Sequence, residues 1–440
     1  MLIEFRVANF RSFKEEQTLS LVAGRDKKHK ESLINAGPFR LLKTAAVYGA
    51  NASGKSNLFR AFKVMSDFVS YSATRMNQGD SIPGIVPFRL SSETQSKPSC
   101  FAVLLLVKEN LYEYSFEATE TKVWRECLTV SAPSGARRKT CFERRFCESS
   151  GAYEWTSDVL SPDDEEALRK RTRENGLALS RGAEQNVKPL GDLFAAFDKN
   201  TWFFSLSDRP VPLMDATARR VRKSPEFAKR VETLLRDADF GIHRVAVEDG
   251  PPPSPKVLDL LRKILSKEAA EKMESEGVLA SGPQRIYTEH HMCDSPEPVR
   301  FAMDEDESSG TQHFFALVGP ILDALDKGAL VVVDEIDCSM HSLLTWKIVE
   351  FFHHADSRAG GAQLLFTTQD STLMHSALLR RDQVWLVEKN KKGASQLLSL
   401  YDFSKKGRPR GSTAFQRNYL AGRYGGVPMF GPTLEDMGDL

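Results

Sequence analysis

Gly49-Ala-Asn-Ala-Ser-Gly-Lys-Ser56 is the stretch on which the reading of this chain turns. It fits the pattern G-x-x-x-x-G-K-[ST], and the mostly apolar run Leu41–Tyr48 leads straight into it. Behind it, Leu58, Phe59, Phe62, Met65, Phe68 and Val69 recur at helical spacing, which predicts a helix from Lys55 to about Tyr71. Strand, glycine-rich turn and helix, in that order, make a phosphate site. Gly49 and Gly54 let the backbone curl so that successive N–H groups point inward, and the positive end of the helix dipole adds to the attraction. The expected cradle is Gly49, Ala50, Asn51, Ala52, Ser53, Gly54, Lys55, Ser56 and Asn57. Lys55 reaches for the β- and γ-phosphates of ATP, and the Ser56 hydroxyl is a ligand for Mg²⁺, a hard cation that favours oxygen.

A second stretch supplies the acid. Ala329-Leu-Val-Val-Val-Asp334-Glu335 is an apolar, β-branched run ending in two carboxylates, so it reads as a strand buried on both faces. In an open α/β sheet, ligands lie at the carboxyl ends of strands. Asp334 is then the carboxylate that holds the metal's water shell, and Glu335 the one that orients or deprotonates an attacking water. Glu307-Ser-Ser-Gly-Thr-Gln312, just ahead of a predicted helix at Thr311–Asp326, has two readings. Serine is a favoured helix cap, and Ser-Ser-Gly at a helix start is also a second anion site.

Around these stretches the chain alternates strand and helix: strand Leu330–Asp334, helix Ser342–His353, strand Ala362–Thr368 and strand Gln383–Lys389, a pattern that implies a parallel sheet. Before them, Leu2–Ala8, Thr18–Val22, Cys100–Val107, Leu111–Ala118, Lys122–Ser131 and Arg138–Phe146 read as strands of another sheet. Helices are expected at Pro162–Lys170, Pro225–Asp237 and Pro255–Glu276, the last two separated by the break Asp249-Gly-Pro-Pro-Pro-Ser-Pro255. The domains expected are an N-terminal lobe over 1–204, a mainly helical insertion over 205–300 and a C-terminal lobe over 301–440. The chain has 440 residues with 60 Lys plus Arg against 59 Asp plus Glu, so no global field draws it to nucleic acid or anionic membrane. No apolar run approaches the roughly 20 residues of a membrane span, and the N-terminus reads as a strand; a cytoplasmic protein is expected. The six cysteines, with no Cys-x-x-Cys pair, read as free thiols. His290–His291 and His353–His354 read as structural, the latter pair as cations at a helix C-terminus. The basic stretch Arg137–Arg145, with one aromatic, reads as a solvated hairpin, with contact to nucleic acid as the alternative.

The phosphate loop, the Ser-Ser-Gly element one helix before the acidic strand, and the acidic pair resemble the head of an ABC/SMC-type ATPase. More narrowly, the chain is similar to bacterial AAA-named ATPases of the abortive-infection (RloA/AbiL-like) group and to the ATPase part of OLD-family proteins. Leu2–Phe13 (ending Asn9-Phe-Arg-Ser-Phe13), Tyr48–Asn57, Glu307–Gln312, Val331–Met340, Leu364–Asp370, Arg380–Lys389 and Tyr419–Pro428 carry the likeness, while roughly 130–300 match less specifically. The resemblance implies an α/β fold with a mixed N-terminal sheet, a parallel phosphate-loop core and a largely helical insertion. It implies that Ser308, Ser309 and Gly310 contact ATP held by a second copy, that Asp337 lies in the loop coupling the two sites, and that Glu335 is the catalytic carboxylate. The family has histidine where this chain has Gln369; an amide donates a hydrogen bond but carries no charge, so slow hydrolysis is expected. It also implies a homo-oligomer sandwiching ATP, a separate effector encoded nearby, and a phage protein or nucleic acid as trigger. A DNA-binding clamp in repair is the alternative; no metal-ligand cluster outside the ATP site supports a nuclease.

Overall fold

In the computed structural model, residues 1–26, 28–134, 137–206, 210–238, 240–252, 254–264, 282–355, 361–405 and 414–427 are described. Strands β1 (Leu2–Ala8), β2 (Gln17–Ser20), β3 (Leu33–Ala36), β4 (Phe39–Leu42) and β5 (Thr44–Tyr48) precede the phosphate loop. Strands β6 (Ser99–Val107), β7 (Asn110–Ala118), β8 (Val123–Ser131), β9 (Lys139–Cys147), β10 (Ala152–Thr156) and β11 (Thr201–Ser205) follow its helix. Then come β12 (Ile242–Glu248), β13 (Arg285–His291), β14 (Pro298–Ala302), β15 (Leu330–Asp334), β16 (Gln363–Thr367), β17 (Val384–Lys389) and β18 (Ser395–Ser399).

These residues form two compact units. The first comprises Met1–Ser205, Ala324–Ile336 and Thr345–Leu440; the second comprises Leu206–Asp323 and Asp337–Leu344. The first unit holds two large sheets. One is antiparallel throughout, in the order β10-β9-β8-β7-β6-β1-β2. In β1 and β7 the inward positions Phe5, Val7, Tyr114 and Phe116 alternate with the outward Glu4, Arg6, Glu113, Ser115 and Glu117, as a half-buried strand requires. The other runs β11-β15-β16-β5-β17-β18, parallel from β11 to β17, with β18 antiparallel at the edge. The helix Lys55–Tyr71 forms as its spacing predicts, with Leu58, Phe59, Phe62, Met65, Phe68 and Val69 all buried in the core between the sheets. A buried amide braces them: Leu2 N–H donates to Gln363 Oε1 at 2.7 Å, and Gln363 Nε2 donates to the carbonyls of Leu2 and Leu42.

The second unit carries the helices Val211–Lys223, Pro225–Asp237 and Pro255–Ile264 and an antiparallel sheet β12-β13-β14. The insertion is thus helical with a three-stranded sheet added. Residues 265–276 of the helix expected from Pro255 lie outside the described residues. The helix Ser309–Lys327 runs from the second unit into the first. Among the described residues no helix is long and apolar enough to cross a membrane.

Charge inside the first unit is paired. Arg144 and Glu126 are fully buried, with Arg144 Nε donating to Glu126 Oε2 at 2.8 Å. Glu126 also accepts from the backbone N–H groups of Ala178 and Leu179, the first turn of the helix Ala178–Glu184, and from the Tyr114 hydroxyl. Lys139–Arg145 of the basic stretch lie in strand β9, with Arg144 turned inward and Arg145 paired to Glu143, while Arg138, just ahead of the strand, pairs with Glu113. At Arg380, 1% exposed, a bidentate pair to Asp382 fastens the carbonyls of Gly24, Asp26 and Lys28.

His353 corrects one expectation. It does not serve as a cation for its helix: burial pushes its pKa down to about 3, and its Nε2 lies 2.9 Å from Thr44 Oγ1 and 3.1 Å from Gln383 Nε2. The cation at that C-terminus is Lys43, which donates to the carbonyls of His353 and Ala355 at 2.8 Å each.

Two outcomes follow. Arg144→Met leaves a buried carboxylate unpaired and costs about 3–5 kcal/mol in urea unfolding; adding Glu126→Leu recovers part of the loss. A neutral His353 in the fold and an ordinary histidine in the unfolded chain make stability complete above pH ~6.5 and falling as pH drops towards 3, by at most ~1.4 kcal/mol per pH unit. The urea midpoint of His353→Gln therefore falls less between pH 7 and 5 than that of the parent chain.

Candidate nucleotide site

The site begins with a turn of the N-terminal strand. Asn9 and Arg11 adopt left-handed backbone (φ 48° and 49°), and Phe10 and Phe13 exchange two backbone hydrogen bonds of 2.8 Å. Asparagine tolerates that conformation, and here its amide donates to the carbonyls of Thr94, Lys97 and Pro98. The turn delivers the Ser12 hydroxyl to the phosphate loop, where Asn57 Nδ2 donates to it at 2.9 Å.

In the loop itself, Gly49, Ala52 and Gly54 have φ of 155°, 59° and 117°. Gly54 is the N-cap of the helix Lys55–Tyr71 and no side chain caps that end, which leaves the first-turn N–H groups for an anion. A Cβ on Gly54 would stand 2.4 Å from Ser395 Oγ and 2.8 Å from Ser12 Oγ; one on Gly49 would stand 2.3 Å from the Val387 carbonyl. The glycines are demanded by close neighbours as well as by backbone angle. Lys55, 7% exposed, donates to the carbonyls of Gly49 (2.6 Å) and Ala50 (3.1 Å).

Strand β16 lies between β5 and β15, and its last residue links them. Thr367 Oγ1 donates to Asp334 Oδ1 at 2.6 Å, and Ser56 Oγ reaches the same oxygen at 3.3 Å. Glu335 N–H donates to Thr367 Oγ1 at 2.7 Å, while Glu335 itself sits in the left-handed region (φ 56°). Left-handed backbone in a residue with a side chain is strained and is held by its surroundings. Hydroxyl and carboxylate oxygens converge at Asp334, a hard donor set that suits Mg²⁺. Gln369 is exposed, two residues beyond Thr367.

The predicted residues thus fall in two groups. Gly49–Asn57, Asp334, Glu335 and Gln369 lie in the first unit; Ser308, Ser309, Gly310 and Asp337 lie in the second. Ser308 Oγ accepts from Thr311 N–H at 3.1 Å, the capping role, and a Cβ on Gly310 would stand 2.8 Å from the Ser339 carbonyl. The sequence reading missed Ser12, Thr367 and Ser395. Ser12 and Thr367 belong to stretches it singled out; Ser395, whose hydroxyl donates to the Ser53 carbonyl, follows no pattern a sequence shows.

A family described as "AAA domain, putative AbiEii toxin, Type IV TA system" matches residues 45–236 and 284–375. No curated protein matches the chain. Among solved structures, the SMC head domain from Thermotoga maritima is 11% identical over 90% of this chain and 98% of that one, with a TM-score of 0.38. The Smc head domain from Pyrococcus furiosus, solved with the C-terminal domain of ScpA, is 12% identical over 92% and 98%, with a TM-score of 0.35. The recombination mediator protein RecF is 13% identical over 91% and 98%, with a TM-score of 0.30.

Gly54→Ala combines a disallowed φ with two serine hydroxyls closer than van der Waals contact. It lowers affinity for ATP at least about tenfold, measured by a fluorescent nucleotide titration, and leaves the far-ultraviolet spectrum unchanged.

Proposed function

Since the chain belongs to this AAA-domain family, we propose that it binds and slowly hydrolyses ATP, closes into a dimer around it, and acts as sensor or regulator of a separate effector in an antiphage defence module. The observation that carries the ATP chemistry is the shared oxygen of Asp334. One carboxylate oxygen is met by Ser56 from the phosphate loop and by Thr367 from the neighbouring strand, and Thr367 in turn fixes the backbone of Glu335. That connection supports reading the loop as phosphate cradle, Ser56 and Asp334 as metal ligands and Glu335 as general base of one site.

Lys55 leaves its loop carbonyls for the β- and γ-phosphates, a charge-assisted contact about twice as strong as a neutral one. Ser56 and Asp334 would hold Mg²⁺, which when bound would supply positive charge to the phosphate oxygens. Glu335 orients the attacking water and takes its proton. Gln369 contributes an amide hydrogen bond to the γ-phosphate but no charge, which keeps turnover slow. Ser308, Ser309 and Gly310 face the nucleotide of a second copy, with Asp337 in the coupling loop. The defence role rests on two supports: the resemblance to abortive-infection ATPases and a family description that names a type IV toxin–antitoxin system.

Glu335→Gln keeps ATP binding and removes the base. Its solution mass by light scattering doubles on addition of Mg-ATP, and Ser308→Arg in the same background abolishes the change. A mass indifferent to ATP would overturn the dimer.

A further inference from the structure

Glu307 poses an electrostatic problem. It immediately precedes the Ser308–Gly310 turn, so an anion arriving at that turn meets a carboxylate one residue away, and like charges at short range repel. The second unit turns this carboxylate back onto its own sheet. From the central strand β13, the Thr288 hydroxyl donates to Glu307 Oε1 at 2.5 Å and His290 Nε2 lies 2.8 Å from the same oxygen. Thr288 is fully buried, the Glu307 side chain is 9% exposed, and the His290 ring lies against Phe301 at 4.6 Å between centroids. The backbone of Glu307 is pinned from the other direction, since Gln312 Nε2 donates to its carbonyl at 3.0 Å. Thr311, in the first turn of the helix Ser309–Lys327, donates its N–H to Ser308 Oγ.

We infer that Thr288 and His290 are positioning residues for the Ser308–Gly310 turn: they hold the Glu307 carboxylate away from the face that receives the second copy's nucleotide. The inference rests on the ATP-bridged dimer. Neither residue touches nucleotide; they act by keeping a negative charge off the receiving surface. Loss of the Thr288 or His290 donor frees the carboxylate to turn towards that face, and ATP-driven association weakens while nucleotide binding by a single copy does not. Removal of the charge itself repairs the association defect, and nucleotide affinity of a single copy stays unchanged throughout, which a general loss of folding does not leave intact.

The test uses full-length Glu335→Gln protein and measures, by light scattering, the Mg-ATP concentration at half-maximal dimerisation. Thr288→Val and His290→Leu raise that concentration about tenfold, as loss of a hydrogen bond to a charged group implies. Thr288→Ser, which keeps the hydroxyl, stays within about twofold. Glu307→Gln, added to either defective variant, restores the parent value. Fluorescent ATP titrated at protein concentrations too low for dimers gives the same affinity for every variant. Dimerisation of both Thr288→Val and His290→Leu at the parent concentration overturns the inference; so does failure of Glu307→Gln to restore them, or an equal loss of single-copy affinity. If Ser308→Arg still dimerises on Mg-ATP, the assignment of Ser308–Gly310 to the dimer face has failed and this inference fails with it; if the Glu335→Gln parent itself ignores Mg-ATP, the dimer reading has failed instead. Should Thr288→Val not fold, His290→Leu with and without Glu307→Gln decides alone.

Discussion

A loop that presents its N–H groups to a phosphate has to be shaped by bonds other than its own ladder, because those donors are committed to the ligand. The rest of this structure follows from that constraint. The shape of Gly49–Ser56 is imposed from outside. Ser395 bonds the Ser53 carbonyl, Ser12 takes the Asn57 amide, and the Val387 carbonyl lies where any Cβ at residue 49 would go. Those three supports come from the β17–β18 end of the parallel sheet and from the turn after β1. The loop therefore needs both sheets in register, and the buried Gln363 amide ties β1 to β4 and β16.

Asp334 shows a related economy. Its Oδ1 is met by two hydroxyls, Ser56 and Thr367. A hydroxyl satisfies a carboxylate lone pair without neutralising its charge, so the charge of Asp334 is preserved, as its proposed role towards a divalent cation requires. The surrounding core treats charge differently. Glu126 and Asp382 are each matched by a buried arginine, where the guanidinium fork fixes geometry and an unmatched ion would be destabilising.

Much of this was legible in the sequence because it rests on local rules. The phosphate loop is a contiguous pattern, the helix behind it has a clean 3.6-residue period, and β15 is a β-branched run with acids at its end. All three form where expected. Legibility failed where a residue's role is set by a distant partner. Ser395 touches the loop across more than three hundred residues, and no spacing rule connects them. Thr367 sat in a stretch already marked, yet its hydroxyl matters because β16 falls between β5 and β15, a fact of strand order. Strands β12 to β14 were hidden by flanking helical patterns, and β13, with Thr288 beside Glu289 and His290, lacks the apolar alternation that marks a strand. At His353 the local rule gave the wrong physics: a histidine in the last turn of a helix suits the dipole only while solvent can support its charge, and burial removes that support.

Two buried lysines show why the loop is ready for an anion. Lys43 and Lys55 each donate to two backbone carbonyls and are 4% and 7% exposed. Lys43 sits at the C-terminus of the helix Ser342–His354, where the partial negative charge of the macrodipole favours an ammonium. Lys55 sits at the N-terminus of the helix Lys55–Tyr71, where the same dipole opposes it. The hydrogen bonds from Lys55 to the carbonyls of Gly49 and Ala50 offset part of that opposition. A phosphate in the loop meets the ammonium and the helix end together, so a single anion relieves both. Lys43 lies at a helix end that favours a cation, whereas Lys55 lies at one that favours an anion, and that difference in the local dipole is why a phosphate suits the second helix end and not the first.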